Sequence, residues 1–154
     1  MVSIIPSMAK RLLYPILSVL LLMFFASCEE IRNEPTEVSS LEGEWKVDED
    51  SELFKSTEDT YHVNISLSPY DSTMIYISNF YHVGPESEIV GKVEGDRIEL
   101  PSGQEMTVLE SVYTILSGSG NIATDYQSIS WSYEIDDGSG MVDHVTATYT
   151  RVTN

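Results

Sequence analysis

Basic residues are scarce in this chain. Its 154 residues include 8 Lys and Arg against 25 Asp and Glu, which gives a formal charge of −17 at pH 7. Nucleic-acid binding needs a clustered basic surface, which this composition does not supply. The only cysteine is Cys28, so the sequence excludes an intramolecular disulfide framework and a Cys-rich zinc site. A chain of this length is expected to form one domain.

Motifs for catalysis and cofactor binding are also missing. The chain contains no Gly-x-Ser-x-Gly, no His-Glu-x-x-His and no phosphate-loop motif. Gly118-Ser119-Gly120 follows a predicted strand, but no helix follows it, so it lacks the helix N-terminus that binds phosphate. The three histidines, His62, His82 and His144, are far apart in the sequence, and we predict no shared zinc site. We therefore expect no cofactor and no enzymatic activity.

Two groups of carboxylates are candidate sites. Asp136, Asp137 and Asp143 lie within eight residues, and calcium binds such oxygens. Their spacing does not match an EF-hand, and Asp137-Gly138 is a common hairpin signal, so we predict a turn in preference to a calcium site. A second acidic cluster is predicted to be a solvated loop. It comprises Asp48, Glu49, Asp50 and Glu52.

The N-terminal segment differs sharply from the rest of the chain. Residues 1–27 contain no acidic residue, and their only full charges, Lys10 and Arg11, precede an almost wholly apolar run from Leu12 to Ala26. This layout predicts a secretory signal peptide over residues 1–27. The alternative, a transmembrane helix, needs about 20 apolar residues, whereas this run is shorter and contains Pro15.

The end of this segment, Phe25-Ala26-Ser27-Cys28, resembles the lipobox of bacterial lipoproteins. The resemblance implies that Cys28 is acylated and becomes the N-terminus of the mature chain; the alternative is an ordinary small residue near a cleavage site. Each acyl methylene buried in a membrane contributes roughly 0.8 kcal/mol, so two or three chains anchor a protein durably. The lipoprotein resemblance implies an exported protein, lipid-anchored to the outer membrane of a Gram-negative bacterium.

Glu29-Glu30 follows the cysteine directly. This pair resembles the signal that sends some lipoproteins to the outer leaflet of that membrane, although any tether in so acidic a chain would carry Glu. Residues 28–40 are polar and acidic and are predicted to be a flexible tether. Removal of residues 1–27 takes away two basic residues and no acidic one, so the mature chain has 25 acidic and 6 basic residues, a charge of −19.

From residue 41 to 154 the dominant hydrophobic period is two, which indicates half-buried β-strands. Apolar and polar residues alternate over Tyr61–Leu67, Ile129–Ile135 and Val145–Tyr149. We predict a short helical turn within 51–59 and a sixth strand broken near Glu110-Ser111. The eight predicted strands are 43–49, 60–68, 73–82, 88–94, 97–101, 106–117, 126–136 and 141–151.

Short turns such as Gly95-Asp96 separate these strands. Consecutive strands joined by tight hairpins favour an all-β, eight-stranded antiparallel up-and-down barrel, which removes exposed sheet edges. A two-sheet β-sandwich is the alternative. The sequence does not decide whether the barrel interior is open to a ligand or filled by side chains.

Gly43-Glu44-Trp45 resembles the Gly-x-Trp element that opens the first strand of lipocalins and related calycins. The resemblance implies a lipocalin-like domain in which Trp45 packs across the closed end of the barrel and Arg151 stacks on its ring. Most aromatic residues fit regular apolar faces and are predicted to be core. Three others lie near predicted strand ends and are candidates for exposed contacts: Tyr70, Tyr81 and Tyr126.

The sequence leaves two functions open. The first is a non-catalytic, lipid-anchored module of the cell envelope that binds a small apolar ligand or an envelope protein. The second is an envelope enzyme or enzyme inhibitor that acts on extracellular polymers through carboxylates at the barrel mouth. An open, aromatic-lined interior would favour ligand binding, whereas a packed interior would argue against it.

Overall fold

A computed structural model describes residues 38–53 and 60–153. All of these residues belong to one compact unit, Glu34–Asn154. The predicted signal peptide, Cys28 and most of the predicted tether lie outside the described residues, as does most of the helical turn predicted within 51–59. In the described part of the chain, no helix is long and apolar enough to cross a membrane.

The described residues form nine antiparallel strands and two short 3-10 helices, Val38–Leu41 and Phe80–His82. The strands are β1 (Gly43–Ser51), β2 (Tyr61–Leu67), β3 (Met74–Ser78), β4 (Glu88–Glu94), β5 (Arg97–Glu99), β6 (Gln104–Val108), β7 (Ser111–Ile122), β8 (Ser128–Asp136) and β9 (Val142–Arg151). As predicted, β2, β8 and β9 alternate between buried and exposed side chains. The two-residue hairpin predicted at Gly95-Asp96 joins β4 to β5.

The sheet closes on itself as a barrel of eight antiparallel strands. Each strand except β5 pairs with the next along the chain, and β9 pairs with β1. The sheet closes through β5, which pairs with β7 in place of β6. β5 pairs with one part of β7, Ser119–Asn121, and β6 with another, Ser111–Ile115, so β5 and β6 act as one interrupted strand. The predicted eight-stranded antiparallel barrel is therefore confirmed, and the alternative β-sandwich is not formed.

Two strand predictions were wrong in part. The predicted sixth strand, 106–117, is two antiparallel strands, because the chain reverses at Leu109-Glu110 between β6 and β7. The break predicted near Glu110-Ser111 is therefore present, but it is a full reversal of the chain. β7 then continues through Gly118-Ser119-Gly120, which lies within the sheet. The predicted third strand, 73–82, ends at Ser78, because Asn79 adopts a left-handed conformation with φ 61° and begins the second 3-10 helix.

The glycines of β7 are required by close packing against β8. A Cβ atom on Gly118 would lie 2.7 Å from Cβ of Tyr133, and one on Gly120 would lie 2.9 Å from the ring of Trp131. Any side chain would collide there, whereas glycine allows β7 to run beside these large residues. The Gly-Ser-Gly segment therefore serves packing inside the barrel.

One end of the barrel, here called the closed end, is covered by the first 3-10 helix. Trp45 is fully buried there and donates a hydrogen bond from Nε1 to the carbonyl of Leu41, at 3.0 Å. The guanidinium carbon of Arg151 lies 4.5 Å from the centroid of the Trp45 ring. Arg151 also donates from Nη1 to the carbonyl of Glu42 at 3.0 Å and from Nη2 to that of Ser40. This is the arrangement that the lipocalin resemblance implies.

Among the residues that the structure describes, large inward-facing side chains pack against one another between the two ends. An eight-stranded barrel is just wide enough for its inward-facing side chains to pack against one another. Phe80 packs against Tyr133 with ring centroids 4.7 Å apart, and Trp131 packs against Tyr149 at 5.4 Å. Among the fully buried residues are Val47, Ile65, Ile75, Ile77, Ile98, Ile115, Ile129 and Ile135.

Candidate functional site at the barrel mouth

The end opposite Trp45, here called the mouth, is where β1, β3, β6 and β8 end and β2, β4, β7 and β9 begin. Strand alternation along β1 turns four side chains toward the barrel interior: Trp45, Val47, Glu49 and Ser51. Glu49 therefore lies at the mouth, while its neighbours Asp48 and Asp50 are exposed. The prediction of a solvated loop over this acidic cluster was wrong for Asp48, Glu49 and Asp50, because β1 continues to Ser51. Asp48 and Asp50 are solvent-exposed as predicted, whereas Glu49 is half-buried.

Asp143, the first inward-facing residue of β9, is the most buried carboxylate of the mouth. It is fully buried. Its Oδ2 accepts hydrogen bonds from the hydroxyls of Ser51, at 2.5 Å, and Tyr81, at 2.6 Å. Its Oδ1 accepts one from the backbone N–H of Leu53 at 3.1 Å. Three donors from two segments thus converge on one carboxyl group, which ties the end of β1 and the second 3-10 helix to β9.

Glu49 is less buried than Asp143 and is held by two tyrosines. Its Oε2 accepts hydrogen bonds from the hydroxyls of Tyr61, at 2.6 Å, and Tyr133. Burial raises the pKa of the Glu49 carboxyl above its ordinary value, and the nearby Asp143 charge adds to the rise. The two tyrosine hydroxyls oppose it, because hydrogen bonds to a carboxylate favour the ionised form.

A short segment with unusual backbone conformations covers part of the mouth. Asn79, Tyr81 and His82 all have positive φ, between 55° and 61°, a region that costs energy for residues other than glycine. This conformation brings the Tyr81 hydroxyl to Asp143 and stacks the His82 ring on Tyr61 at 4.7 Å. The Asn79 side chain braces the segment, since it donates to the carbonyl of His62 at 2.7 Å and accepts from the N–H of Gly84 at 2.9 Å.

Exposed apolar side chains surround this polar centre, and together they are here called the rim. Of seven large apolar residues that are exposed in the described ranges, five lie on the loops or strand ends of the mouth. Tyr70 lies at the closed end and Leu116 on the outer face of β7. The rim comprises Leu53, Leu109, Val112, Met141 and Val142.

The structure separates the three histidines. His62 pairs with Glu44 at 2.9 Å and His144 with Glu134 at 3.2 Å, both on the outer wall, whereas His82 lies at the mouth. Among the residues that the structure describes, no three His, Cys, Asp or Glu lie together in a way that could hold a metal ion.

The predicted turn between β8 and β9 is present. Asp136 and Asp137 accept hydrogen bonds from the N–H groups of Gly138 and Ser139, at 2.8 and 2.9 Å, within this turn. Asp143 is instead the first buried residue of β9. The three carboxylates that were considered as calcium ligands therefore have different surroundings.

The tyrosines predicted to be exposed contacts differ in their environments. Tyr70 is 93% exposed in the turn after β2, as expected. Tyr81 is buried at the mouth, so the expectation for it was wrong, because the second 3-10 helix turns it inward. Tyr126 is partly buried against the core.

No protein-family model matches the chain, and the curated proteins include none that matches it significantly. The fold and the mouth therefore define this protein as an eight-stranded antiparallel barrel with a packed interior and a polar, aromatic-lined mouth.

The raised pKa of Glu49 predicts a pH dependence of stability. A carboxyl group whose pKa is higher in the folded than in the unfolded state stabilises the fold at low pH, and this contribution is lost as the pH rises through the folded-state pKa. Because glutamine does not ionise, we expect Glu49→Gln to avoid this loss of stability at higher pH. The difference in unfolding free energy between variant and wild type, measured by urea denaturation from pH 4 to 8, should shift in favour of the variant as the pH rises.

Glu52→Gln is the matched control, because Glu52 is exposed just beyond the end of β1. The control should follow the wild-type pH profile. Parallel profiles for Glu49→Gln and the wild type would show that the Glu49 carboxyl has the same pKa in the folded and unfolded chains.

Proposed function

We propose that this protein is a non-catalytic, lipid-anchored interaction module of the bacterial cell envelope. Its barrel binds a partner protein on its outer surface, and acylated Cys28 attaches it to the outer membrane. The observation that carries the proposal is the filled interior, in which aromatic and branched side chains occupy the space where an open barrel of this class would hold a ligand. The fold thus favours binding of an envelope protein over binding of a small apolar ligand.

Two shallow grooves on the outer wall support recognition from outside. They have volumes of about 330 and 420 Å³ and share Asp50 and Thr146. Their other lining residues come mainly from the outward faces of β1, β8 and β9 and carry hydroxyl and carboxylate groups. Such grooves do not suit a small apolar ligand, since pockets for ligands of that kind are mostly apolar.

A test of this proposal combines two measurements on the mature protein. Titration with a fluorescent fatty acid should give no saturable signal, because the interior is filled. Photo-crosslinking in cells, with a benzophenone amino acid placed at exposed positions around the barrel, should give a discrete adduct with an envelope protein from at least one face. A saturable fatty-acid signal, or no adduct from any position, would contradict the proposal.

An envelope enzyme or enzyme inhibitor that uses carboxylates at the mouth is the second candidate. It is supported by the presence of Glu49 and Asp143 at the same end of the barrel. We favour the first candidate because Asp143 is fully buried and accepts three hydrogen bonds. A general acid or base must come within about 3 Å of the proton that it transfers, which would require Asp143 to leave these partners.

Lipid attachment through Cys28 gives a separate prediction. We expect Cys28→Ala to abolish incorporation of labelled palmitate and to move the protein from the membrane fraction to the soluble fraction. Because Cys28 is the only cysteine, no other thiol can take the label. Ser27→Gly, which keeps a small residue before the cysteine, should retain both the label and the membrane attachment. Membrane attachment of Cys28→Ala at the wild-type level would refute the anchor.

A further inference from the structure

We propose that the rim of the mouth is the docking surface of this module, and that it binds a protein segment in which apolar side chains alternate with Lys or Arg. This inference rests on the proposed interaction function and assigns it a surface and a partner chemistry. Four properties of the mouth carry it: exposed apolar area, backbone strain at one rim residue, the distribution of charge, and the position of the mouth relative to the start of the barrel.

The exposed apolar area is concentrated on neighbouring loops. Leu109 is 96% exposed and Met141 is 56% exposed. The hairpin that carries Leu109 adjoins the turn that carries Met141, since a Cβ atom on Gly138 would lie 3.2 Å from the carbonyl oxygen of Val112. Leu53 joins the same end through the hydrogen bond of its N–H to Asp143. Clustered exposed apolar side chains with polar surroundings are typical of protein interaction sites.

Leu109 is also in a strained conformation. Its φ is 56° in the turn between β6 and β7, where glycine or asparagine is the residue that turn geometry favours. The chain thus holds a large apolar side chain, almost completely exposed, at a position where it costs conformational energy. Backbone strain of this kind is concentrated at functional sites, and a contact made by the Leu109 side chain would account for it.

Among the residues that the structure describes, the charged side chains of the mouth loops, other than histidine, are all acidic. The mouth loops carry the exposed acids Glu52, Glu86 and Glu110, together with half-buried Asp137. The described Lys and Arg residues lie toward the closed end or in the middle of the wall; they are Lys46, Lys92, Arg97 and Arg151. An acidic margin around apolar side chains is complementary to a basic, amphipathic segment.

A second copy of the chain fits this surface less well. Two mouths facing each other would bring like charges together, on mature chains that each carry −19. The mouth also lies at the end opposite Val38–Leu41, where the tether joins the barrel. In an anchored protein this geometry leaves the rim at the end of the barrel away from the tether, accessible to a different protein.

The experiment uses a synthetic probe of about eight residues in which Leu alternates with Lys, a length typical of one strand. We expect this peptide to bind the mature protein, in fluorescence titrations, with an affinity that weakens as salt is added. A matched peptide with Glu in place of Lys should not bind. The double variant Leu109→Ser, Met141→Ser should weaken binding of the Leu-Lys peptide by about tenfold or more, as expected for residues at the centre of an interface.

Tyr70→Ser is the matched control, because Tyr70 is almost as exposed as Leu109 but lies at the closed end. It should bind the Leu-Lys peptide as the wild type does. Unchanged binding by the double variant, equal binding of both peptides, or no binding by the wild type would overturn the rim proposal.

Leu109→Gly separates binding from folding. Glycine adopts a positive φ without strain, so the variant should have a higher unfolding midpoint. Loss of the leucine side chain should lower the affinity for the Leu-Lys peptide by severalfold. A gain in stability with unchanged peptide affinity would show that the strained leucine has no part in docking.

Photo-crosslinking in cells distinguishes failure of this inference from failure of the proposed function. Probes at positions 109 and 141 should give an adduct with an envelope protein, whereas a probe at position 70 should not. Adducts from the outer wall alone, for example from position 148, would overturn the rim proposal and leave the interaction module intact. No adduct from any position would count against both.

Discussion

Replacement of Trp45 by alanine should lower the free energy of unfolding of the barrel by about 3–5 kcal/mol. Trp45 is fully buried at the closed end, where its ring lies under Arg151 and its Nε1 donates to the carbonyl of Leu41. The truncation removes the ring contacts, the hydrogen bond and the stacking surface together. Because domains of this size are typically stable by 5–15 kcal/mol, the variant should unfold at a much lower urea concentration, as measured by circular dichroism.

Trp45→Phe is the matched control for the packing part of this effect. It retains an aromatic ring and loses the indole N–H, so we expect a loss of about 1–2 kcal/mol. Arg151→Lys should cost a similar amount, because lysine cannot reproduce the planar group that bonds several carbonyls while stacked on a ring. A Trp45→Ala variant with the urea midpoint of the wild type would show that the closed end does not contribute to folding.

The second large effect is expected for Asp143→Ala, with a loss of about 3–5 kcal/mol. This substitution takes the shared carboxylate acceptor away from the N–H of Leu53 and the hydroxyls of Ser51 and Tyr81, all at the mouth. A buried donor that loses its acceptor costs more than the bond contributed, because water cannot replace it. Urea denaturation is again the measurement.

Asp143→Asn provides the graded comparison. Its amide oxygen can still accept from the two hydroxyls, but its NH2 group would face the N–H of Leu53, so we expect a smaller loss than for alanine. Asp48→Ala, on the exposed face of β1, should change stability by less than about 0.5 kcal/mol. Equal free energies of unfolding for Asp143→Ala and Asp48→Ala would mean that the hydrogen bonds to Asp143 at the mouth do not stabilise the fold.

The strand content and barrel closure could be predicted from local pattern, because a period of two and two-residue turns are visible in the sequence itself. The predictions failed for segments whose backbone conformation is determined by residues distant in the sequence. β7 passes through Gly118-Ser119-Gly120 because Tyr133 and Trp131 fill the adjacent space. β3 ends at Ser78 because Asn79 is braced by the carbonyl of His62 and the N–H of Gly84.

The mouth was predictable only in outline. The hypothesis of carboxylates at a barrel mouth named neither Glu49 nor Asp143. The predicted strand 43–49 already contains Glu49 in phase with Trp45 and Val47, so simple alternation turns it inward and the signal was present for that residue. The same signal was present for Asp143, which is in phase with Val145 and Tyr149 in the predicted strand 141–151. Its hydrogen-bond partners Ser51 and Tyr81 were not predictable, because they are distant in the chain.

By itself, the sequence determined the acidic charge, the single cysteine after an apolar run, and the alternation that makes an antiparallel barrel, because these depend on composition and nearest neighbours. Only the tertiary structure decided that the described interior is packed, that Asp143 is buried and Glu49 half-buried at the mouth, and that five exposed apolar side chains lie at the same end. Those features depend on strand register and barrel closure, which bring together residues up to about a hundred positions apart.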